Sequence, residues 1–391
     1  MSRPVRKTAA RPRVKKPRGP KPSPPDLGTL RAAIDAVDRR LVQLLNERAS
    51  LVVQVGERKR ADGIPVYAPH REAQVLSRVL ALNEGPLPNR TVEAIYRELM
   101  SGSFVLERAL RIGYLGPPGS FSHLVAVRHF GSSVEFEDLH EVRGVFEEVA
   151  RGHCDHGLVP IENSIAGGIT DTLDCFTHFA HDVRVYAEAQ LGVHHALLAN
   201  CPPSKVTRIL SRPEVFAQCR RWLATQYPKA ELVPVASSSR AVQMVAEASG
   251  DDDAREGPGI AAIGSSLAGE LYGVNILFER IEDDHANITR FYVISRQSAQ
   301  RSGDDKTSVM FSTRNTPGAL VNVLRAFQKA GVNLTHIEKR PGGRRNWQYT
   351  FFVDAEGHEH DPRVARALAG AKRHCRDLAV LGSYPRSRRV L

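Results

Sequence analysis

The sequence predicts a multidomain protein in which an all-α domain is followed by an α/β domain and by a smaller α+β domain. Apolar residues recur first at helical spacing, next in short strand-like runs between helical stretches, and finally in the β-α-β-β-α-β order of a ferredoxin-like fold. The length of 391 residues also exceeds what one hydrophobic core usually serves. We therefore expect three separate cores along the chain.

The first 26 residues form a basic segment that we expect to be disordered. Before Asp26 they contain nine Lys and Arg, seven Pro and no acidic residue, so most of the formal net charge of +11 resides there. Such a composition buries too little apolar surface to fold. Binding of nucleic acid through this tail is the weaker alternative, and we do not expect nucleic acid as a partner.

Composition also limits the location and the chemistry of the protein. The chain has no run of roughly 18 apolar residues, which a membrane span requires, and none typical of a signal peptide, which predicts a cytoplasmic protein without membrane contact. The five cysteines are scattered and never spaced as CxxC, which favours reduced thiols. The histidine-containing stretches at 153–156 and 358–361 lack ligands at metal-site spacing, so we predict no metal and no other cofactor.

Residues 27–110 have the pattern of three helices. Apolar residues recur at spacings of three, four and seven from Leu27 towards Pro65, and two further helices are expected at 69–82 and at 89–108. The first helix is longer than usual and needs a partner to bury its apolar stripe.

Basic side chains on the first helix are placed to bind a dianion. Arg48 and Lys59 are eleven residues apart and therefore share a face. Arg31 lies 17 residues before Arg48, about 25 Å along the axis at about 1.5 Å per residue, so it reaches the same ligand only from a second subunit. This spacing predicts a homodimer or a higher even oligomer. On spacing alone, solvated helix charges are the alternative interpretation.

Residues 27–110 resemble the all-helical chorismate mutase domain through four short motifs. The motifs are Leu30-Arg31, Glu47-Arg48, Gly56-Glu57-Arg58-Lys59 and Arg71-Glu72. The resemblance implies that Arg31 of a second subunit and Arg48 bind the two carboxylates of chorismate, and that Lys59 donates to its ether oxygen. It implies supporting roles for Arg71, Glu72, Ser103 and Glu107. The residue types fit, since a Claisen rearrangement needs a pocket that holds the compact conformer and stabilises charge, not a nucleophile.

Two positions depart from the pattern of this family. Ala68 stands where many relatives have Asp, and Glu107 stands in place of Gln. A carboxyl group donates to the ether oxygen only when protonated, so we expect mutase activity to be favoured at lower pH. The alternative is that the helical domain has lost catalysis and serves only dimerisation.

Residues 112–295 alternate short apolar strands with helical stretches, which is an α/β pattern. The strands are read from RIGYLG, HGLVPIE, ALLAN, RILS, GIAAIG and RFYVIS. Residues 205–269 are predicted to form an inserted unit, because the strand that contains Thr289 follows them. The acidic, glycine-containing stretch at 249–259 is expected to be a surface loop.

Four motifs in this region resemble those of prephenate dehydratase over residues 111–296. They are YLGPPGSFS, GLVPIENSIAGGITDTLD, SRPEVFAQCRRW and NITRFYVIS. The resemblance implies two α/β lobes similar to those of periplasmic binding proteins, with prephenate in the cleft. It implies a catalytic group that consists of Thr289, Glu162, Asn163, Ser211 and Gln218. It implies substrate contacts from Ser120, Phe121, Ser122, Ser164, Arg290 and Phe291.

The polarity of these residues fits the reaction of prephenate, which loses carbon dioxide and water to give phenylpyruvate. Formation of the aromatic ring supplies most of the driving force. The site needs a donor at the departing hydroxyl and donors for the carboxylate that stays, but no nucleophile. Thr289 is one candidate for the first role, by hydrogen bonding or by relaying a proton, and Glu162 is the other, provided that it is buried. The sequence leaves both open.

Residues 307–387 predict the ferredoxin-like unit, which follows a polar linker at 297–306. This unit resembles the ACT regulatory domain through NTPGALVNVL and the segment that begins NLTHIEKRPGG. The resemblance implies L-phenylalanine as an allosteric inhibitor at a subunit interface. It implies effector contacts from Gly318, Ala319, Leu320, Val321, Asn333, Leu334, Glu338 and Arg340. A dimerisation module that binds nothing is the alternative.

Together the three resemblances imply a bifunctional enzyme of phenylalanine biosynthesis. It would rearrange chorismate to prephenate and convert prephenate to phenylpyruvate under feedback inhibition by L-phenylalanine. A non-catalytic sensor built from the same domains is an alternative of another class, and the Thr-Arg-Phe triplet at 289–291 argues against it.

Overall fold

The structure is a computed structural model that describes residues 26–249, 259–341 and 349–391. The predicted disordered tail and the predicted surface loop at 249–259 lie outside these ranges, apart from their end residues. The chain divides into a first unit that ends at Leu51 and a second unit, Val52–Leu391. Within the described ranges, no helix is long and apolar enough to cross a membrane.

Between Asp26, where the described residues begin, and the first strand lie three helices, as predicted. They are α1 (Leu27–Asp62), α2 (Pro69–Ala81) and α3 (Asn89–Glu107). Proline opens α2, where its missing N–H costs no hydrogen bond. In the first unit the apolar stripe of α1 is uncovered in a single chain. Its members Leu30, Ile34, Val37, Leu41 and Leu44 are each between 46% and 60% exposed.

The α/β region begins with β1 and ends with β11. Its elements are β1 (Arg111–Leu115), α4 (Phe121–Phe130), β2 (Glu135–Leu139), α5 (Val142–Arg151), β3 (His156–Asn163), β4 (Gly167–Gly168), α6 (Thr170–Phe179), β5 (Arg184–Gly192), β6 (Ala196–Leu198), β7 (Val206–Ser211), α7 (Pro213–Gln218), α8 (Arg220–Gln226), β8 (Glu231–Pro234), α9 (Ser238–Ser249), β9 (Gly259–Gly264), α10 (Ser266–Tyr272), β10 (Ile276–Phe278) and β11 (Ile288–Ser295).

These strands form two sheets. The first sheet has the order β2-β1-β3-β11-β5 with β4 added to β3, and the second has the order β10-β6-β9-β7-β8. In the first sheet β11 runs antiparallel between β3 and β5. The two-lobed α/β fold is therefore as expected, with the first sheet in one lobe and the second sheet in an inserted lobe.

The inserted lobe is larger than the predicted unit at 205–269. It extends from β6 to β10, because both of these three-residue strands pair within the second sheet. This extension could not be predicted, since only three residues separate the end of β5 from the start of β6.

Two segments, 193–195 and 279–287, connect the lobes and lie against each other. The N–H of Val193 donates to the carbonyl of Asn287 at 2.8 Å, and the N–H of Ile281 donates to the carbonyl of His195 at 3.0 Å. The connection between the lobes is thus a pair of segments that are hydrogen-bonded to each other.

The last region is the predicted β-α-β-β-α-β unit. Its elements are β12 (Asp305–Thr313), α11 (Ala319–Lys329), β13 (Leu334–Pro341), β14 (Tyr349–Glu356), α12 (Pro362–Lys372) and β15 (Cys375–Pro385). The sheet order is β13-β14-β12-β15, which leaves β13 at one edge. Val323 and Phe327 of α11 and Val364 and Ala367 of α12 are fully buried in its core.

This unit packs directly on the first sheet. Phe176 and Tyr292 share one apolar core with Phe352 and Tyr384. A side chain at Gly382 of β15 would collide with the backbone of Val185 on β5, since its Cβ would lie 2.2 Å from the carbonyl oxygen. Glycine therefore permits the close approach of the two strands.

The predicted linker at 297–306 is shorter than expected. Asp305 and Lys306 belong to β12, and each is only 6% exposed. The ammonium group of Lys306 lies 3.0 Å from the carboxylate of Glu188 on β5, which compensates its burial.

Candidate active site

A cavity of about 320 Å³ is lined by residues of both lobes. The first lobe contributes the turn from β1 into α4, the end of β3 and the start of β11, and the inserted lobe contributes α7 and the start of α9. Its volume suits a small organic ligand.

Five polar side chains on the wall of this cavity form one hydrogen-bonded series. The amide of Asn163 donates to the hydroxyl of Thr289 at 2.9 Å and to the side-chain oxygen of Asn287 at 2.7 Å. Asn287 reaches the side-chain oxygen of Gln218 at 3.5 Å, and this oxygen lies 2.7 Å from Nε2 of His195. The series joins Thr289 on the first sheet to Gln218 on the inserted lobe.

Asn163 and Thr289 face the cavity together because they are cross-strand neighbours on β3 and β11. Successive residues of a strand point to opposite faces of the sheet. Glu162 and Arg290 are the next cross-strand pair, and neither lines the cavity. The sequence interpretation grouped all four residues in one site, whereas the structure divides them between two faces.

On the other face, Arg290 is enclosed by carboxylates. Its guanidinium lies 2.5 Å from Asp354, 3.1 Å from Glu162 and 3.4 Å from Glu188. His336 adds a fourth group, with its Nε2 at 3.9 Å from Glu162. Arg290 therefore connects the first sheet to β13 and β14, and its predicted contact with substrate is not supported by this position.

The opposite charges of Asp354 and Arg290 in this cluster stabilise each other. Burial alone would raise the pKa of Asp354, but Arg290, His336 and the hydroxyl of Ser308 hold it below its usual range. Burial would lower the pKa of Arg290, but Tyr292 and Asp354 outweigh it. Glu162 has a side chain that is 38% exposed and paired with Arg290, so the burial on which its role as an acid depended is absent.

Other predicted residues have structural partners. The hydroxyl of Ser211 is fully buried and donates to the carbonyl of Ile263 at 2.8 Å, and Ser211 does not line the cavity. Ser164 donates to the carbonyl of Ala286 at 3.2 Å and accepts from the N–H of Ile288 at 2.9 Å. Both hydroxyls therefore hold backbone segments near the cavity.

Three helices begin at the cavity. Ser120, Phe121 and Ser122 line it at the start of α4, where Ser120 accepts from the N–H of His123 at 3.2 Å. The starts of α7 and α9 line it as well. Since helix N-termini carry partial positive charge, this arrangement favours an anionic ligand.

Sequence reasoning missed several residues of the cavity wall. His195 and Asn287 are 2% and 1% exposed, and residues 237–239 complete the wall on the inserted lobe. Asn287 is the first residue of the NITRF motif, so its position near the site was visible in the sequence. The signal for His195 was only a His-His pair after β5.

His195 is held on several sides. The backbone N–H of His195 donates to the carboxylate of Glu282 at 2.8 Å. Its ring contacts the ring of Phe121 edge to face, with 5.4 Å between the ring centres. Its Nδ1 is buried and has no hydrogen-bond partner among the described residues. Burial lowers the pKa of His195, and the hydrogen bond to Gln218 and the charge of Glu282 offset this in part.

In the helical domain the structure brings Lys59 and Glu107 together. The ammonium group of Lys59 donates to both carboxylate oxygens of Glu107, at 3.1 and 2.8 Å, and to the carbonyl of Val66 at 3.0 Å. A Cβ at Gly56 would lie 2.9 Å from Cγ of Glu107, so glycine allows α1 to approach α3 at this point.

The remaining residues of the predicted mutase group lie elsewhere. Glu72 is buried and forms an ion pair with Arg97, an arginine that the sequence interpretation missed. Arg71 is exposed, and Ser103 donates to the carbonyl of Leu99 at 2.6 Å. Arg31 and Arg48 belong to the first unit, in which Arg31 is exposed and Arg48 is half-buried.

Glu72 and Arg97 line a second cavity of about 200 Å³ in the second unit. Residues 187–189 of β5 and residues 385–389 line it as well. The structure therefore directs Glu72 towards the α/β domain rather than towards Lys59.

The predicted effector residues fall into separate places in one chain. Residues 318–321 open α11, with Gly318 in the left-handed region at φ 77°, whereas Asn333 and Leu334 follow the far end of this helix. Eleven residues of helix span about 16 Å at about 1.5 Å per residue. One chain therefore cannot hold one amino acid with both groups.

Glu338 and Arg340 face the first lobe. Arg340 donates to the carboxylate of Asp174 on α6 at 2.8 and 2.5 Å, and Glu338 packs on Gly168 of β4. Lys339 lies on the opposite face of β13, with its ammonium 5.2 Å from the ring centre of Tyr349. In a single chain these residues tie the last domain to the α/β domain.

The order of a helical domain, a two-lobed α/β domain with a polar cavity and a ferredoxin-like domain defines a multidomain enzyme with a regulatory module. Family models describe the same three parts. Chorismate mutase type II matches residues 30–108, prephenate dehydratase matches 112–299, and the ACT domain matches 307–372. The chain belongs to the family of bifunctional chorismate mutase/prephenate dehydratases.

Relatives of this family cover nearly the whole chain. The bifunctional chorismate mutase/prephenate dehydratase of Stutzerimonas stutzeri is 40% identical over 92% of this chain and 98% of its own length. That of Aquifex aeolicus is 38% identical over 93% of this chain and 98% of its own length. The crystal structure of prephenate dehydratase from Arthrobacter aurescens in complex with L-Phe is 36% identical, with a TM-score of 0.63 over 71% of this chain and 90% of that one.

Proposed function

We propose that residues 27–110 rearrange chorismate to prephenate, that residues 111–296 convert prephenate to phenylpyruvate, and that residues 307–387 bind L-phenylalanine as a feedback inhibitor. The observation that supports the dehydratase assignment most directly is the hydrogen-bonded series from Thr289 to Gln218 on the wall of the 320 Å³ cavity. Membership of the bifunctional family supports the complete reaction sequence.

The geometry supports a direct part for Thr289 in the proposed dehydratase reaction. Its oxygen accepts a hydrogen bond from Asn163, so its own proton is available to the departing hydroxyl of prephenate. The starts of α4, α7 and α9 surround the cavity and stabilise the carboxylates of a dianionic substrate. Arg212 lines the same cavity and is paired with Glu214 at 3.2 Å.

For the mutase reaction we assign Lys59 and Glu107 to the ether oxygen of chorismate. Their ion pair at 2.8 Å places a cation and a carboxyl group side by side on α1 and α3. Arg48 and the Arg31 of a second subunit would hold the carboxylates. Such a pocket accelerates the rearrangement by holding the reactive conformer and stabilising charge.

A homodimer or a higher even oligomer is part of this proposal. The half-exposed apolar stripe of α1 needs a partner, and a second copy of the same helix would cover it. The separation of residues 318–321 from Asn333 also favours an effector site shared by two chains. A cytoplasmic location is proposed as well, because the five free cysteines suit a reducing compartment.

The test supplies purified protein with chorismate and follows prephenate and phenylpyruvate by rapid chromatography, with and without L-phenylalanine. We expect prephenate to appear first, phenylpyruvate to follow, and phenylpyruvate formation to fall when L-phenylalanine is added. Prephenate that accumulates without conversion would contradict the assignment of the cavity.

The alternative in which the helical domain only dimerises has its own test. Arg48→Ala should abolish most chorismate turnover and leave conversion of added prephenate unchanged. Unchanged chorismate turnover in this variant would favour the dimerisation role instead.

A further inference from the structure

His195 is the buried ionisable side chain on the cavity wall. Among the described residues that line the cavity, the other ionisable side chains are Arg212 and Glu214. These two pair with each other at 3.2 Å, and their side chains are 51% and 64% exposed. His195, by contrast, is 2% exposed and joins the same hydrogen-bonded series as Thr289.

The hydrogen bonds of His195 fix which ring nitrogen is free. The side-chain oxygen of Gln218 is an acceptor, so Nε2 of His195 carries a proton and donates to it at 2.7 Å. In the neutral ring Nδ1 then has only a lone pair, and it is buried without a partner among the described residues. His195 lines the cavity, and a buried nitrogen without a partner needs an explanation.

We propose that His195 is the general acid of the dehydratase site and delivers, from Nδ1, the proton with which the leaving hydroxyl departs as water. This inference rests on the dehydratase function proposed above. It replaces Glu162, which lies on the other face of the sheet in an ion pair with Arg290. In this proposal the side-chain amides of the hydrogen-bonded series connect His195 to Thr289.

The step balances without any further reagent. The bond from the ring to the departing carboxylate breaks and releases carbon dioxide, and its electron pair forms a new ring double bond. The bond between the ring and the hydroxyl breaks, and the leaving oxygen takes the proton from His195 directly or through the hydroxyl of Thr289. The products are phenylpyruvate, carbon dioxide and water, and neutral His195 recovers its proton from solvent.

The charges around His195 explain how a buried imidazole becomes the acid. Burial and the neighbouring His194 favour the neutral ring, whereas Glu282 on the segment between β10 and β11 favours the imidazolium. Arg212 and Glu214 contribute opposite charges from α7. A bound dicarboxylate adds two negative charges to the cavity, so substrate binding itself promotes protonation of His195.

A positioning role is the competing explanation, since His195 also orients Gln218. His195→Gln separates the two, because its amide can still donate to Gln218 but cannot be protonated. We expect kcat for prephenate to fall by about 10²- to 10⁴-fold, the usual contribution of general acid catalysis, with KM changed less than about threefold. Chorismate turnover by the same preparation should stay at the wild-type level, which shows that the variant is folded.

The pH profile gives an independent readout. For the wild type, kcat/KM for prephenate should fall with rising pH, approaching about tenfold per pH unit between about pH 6 and about pH 8, after subtraction of the enzyme-free reaction. His195→Gln should have a flat profile. His195→Asn, which removes the donor to Gln218, should be no more active than His195→Gln.

The outcomes are distinct. A His195→Gln variant within about threefold of wild-type kcat, or a flat wild-type profile, overturns the inference. If His195→Gln loses chorismate turnover as well, the variant is misfolded and the wild-type profile decides. A wild-type protein that never consumes prephenate contradicts the proposed dehydratase function and not the role of His195 within it.

Discussion

The two faces of β11 carry polar clusters of opposite character one residue apart. On one face Thr289 joins neutral amides around a cavity, and on the other Arg290 is enclosed by Glu162, Glu188 and Asp354. In the second cluster one guanidinium is paired with three carboxylates within the protein. In the first, the hydroxyl proton of Thr289 and Nδ1 of His195 have no hydrogen-bond partner among the described residues. We infer that the more strongly charged cluster holds the domains together, and that the neutral one serves the proposed dehydratase reaction.

Removal of Arg290 should have the largest effect on stability. Arg290→Leu leaves three carboxylates close together at a buried interface without their shared cation. We expect the free energy of unfolding to fall by about 3–5 kcal/mol, the usual cost of breaking a buried ion pair. Denaturant unfolding of the full chain, followed by circular dichroism, measures this. Stability within about 1 kcal/mol of the wild type would contradict the structural role of the cluster.

Removal of the Thr289 hydroxyl should lower activity and leave stability nearly unchanged, the converse of the effect expected for Arg290→Leu. Thr289→Val keeps the shape of the side chain but has no donor for the leaving group, so kcat for prephenate should fall by about 10²- to 10³-fold. The free energy of unfolding should change by less than about 1 kcal/mol. Thr289→Ser is the matched control and should keep most of the activity. Equal activity of the Val and Ser variants would count against a catalytic hydroxyl.

The charged face should also respond to acid. The pKa of Asp354 is held below its usual range, so its ion pair stabilises the fold above the unfolded-state value of about 3.9. This stabilisation is lost as pH falls through the lower folded-state pKa. Unfolding curves between about pH 2.5 and about pH 5 should show a steep loss of stability in the wild type and a shallower one in Asp354→Asn. Parallel curves for the two proteins would show that Asp354 does not titrate with folding.

The smallest effect is expected at the exposed end of the same interface. Arg340 and Asp174 form a close ion pair, but their side chains are 25% and 49% exposed. Arg340→Ala should therefore cost only about 0.2–1 kcal/mol in unfolding free energy. A loss as large as that of Arg290→Leu would mean that charge, rather than burial, sets the strength of these contacts.

Much of the fold could be predicted because each domain has its own periodicity. The bounds of α2 and α3 lie within one residue of the prediction, and the order of elements in the last domain is as expected. The errors arose where the spacing of apolar residues was interpreted correctly, but the contact partner of a residue in the folded protein was unknown. Lys306 belonged to a polar stretch, yet Glu188 on a distant strand allows it to be buried.

Prediction of the candidate site from the sequence was limited in the same way, by contact partners that were unknown. Thr289 and Arg290 are adjacent in a motif, and the alternation of a strand alone would have separated them. Whether Thr289 or Arg290 points into the cavity depends on where the last domain packs, and no local sequence pattern contains this information. His195 was missed because its partners Gln218 and Glu282 lie 23 and 87 residues away in sequence.

The paired segments between the lobes have a consequence for motion. His195 and Asn287 lie on these segments, Asn163 and Thr289 lie on the first sheet, and Gln218 lies on the inserted lobe. The carbonyl of Gln218 also accepts from the N–H of Asp283 at 2.8 Å, so the inserted lobe is tied to the same pair of segments. The proposed role of His195 therefore depends on the angle between the lobes, because Gln218 is contributed by one lobe and Thr289 by the other.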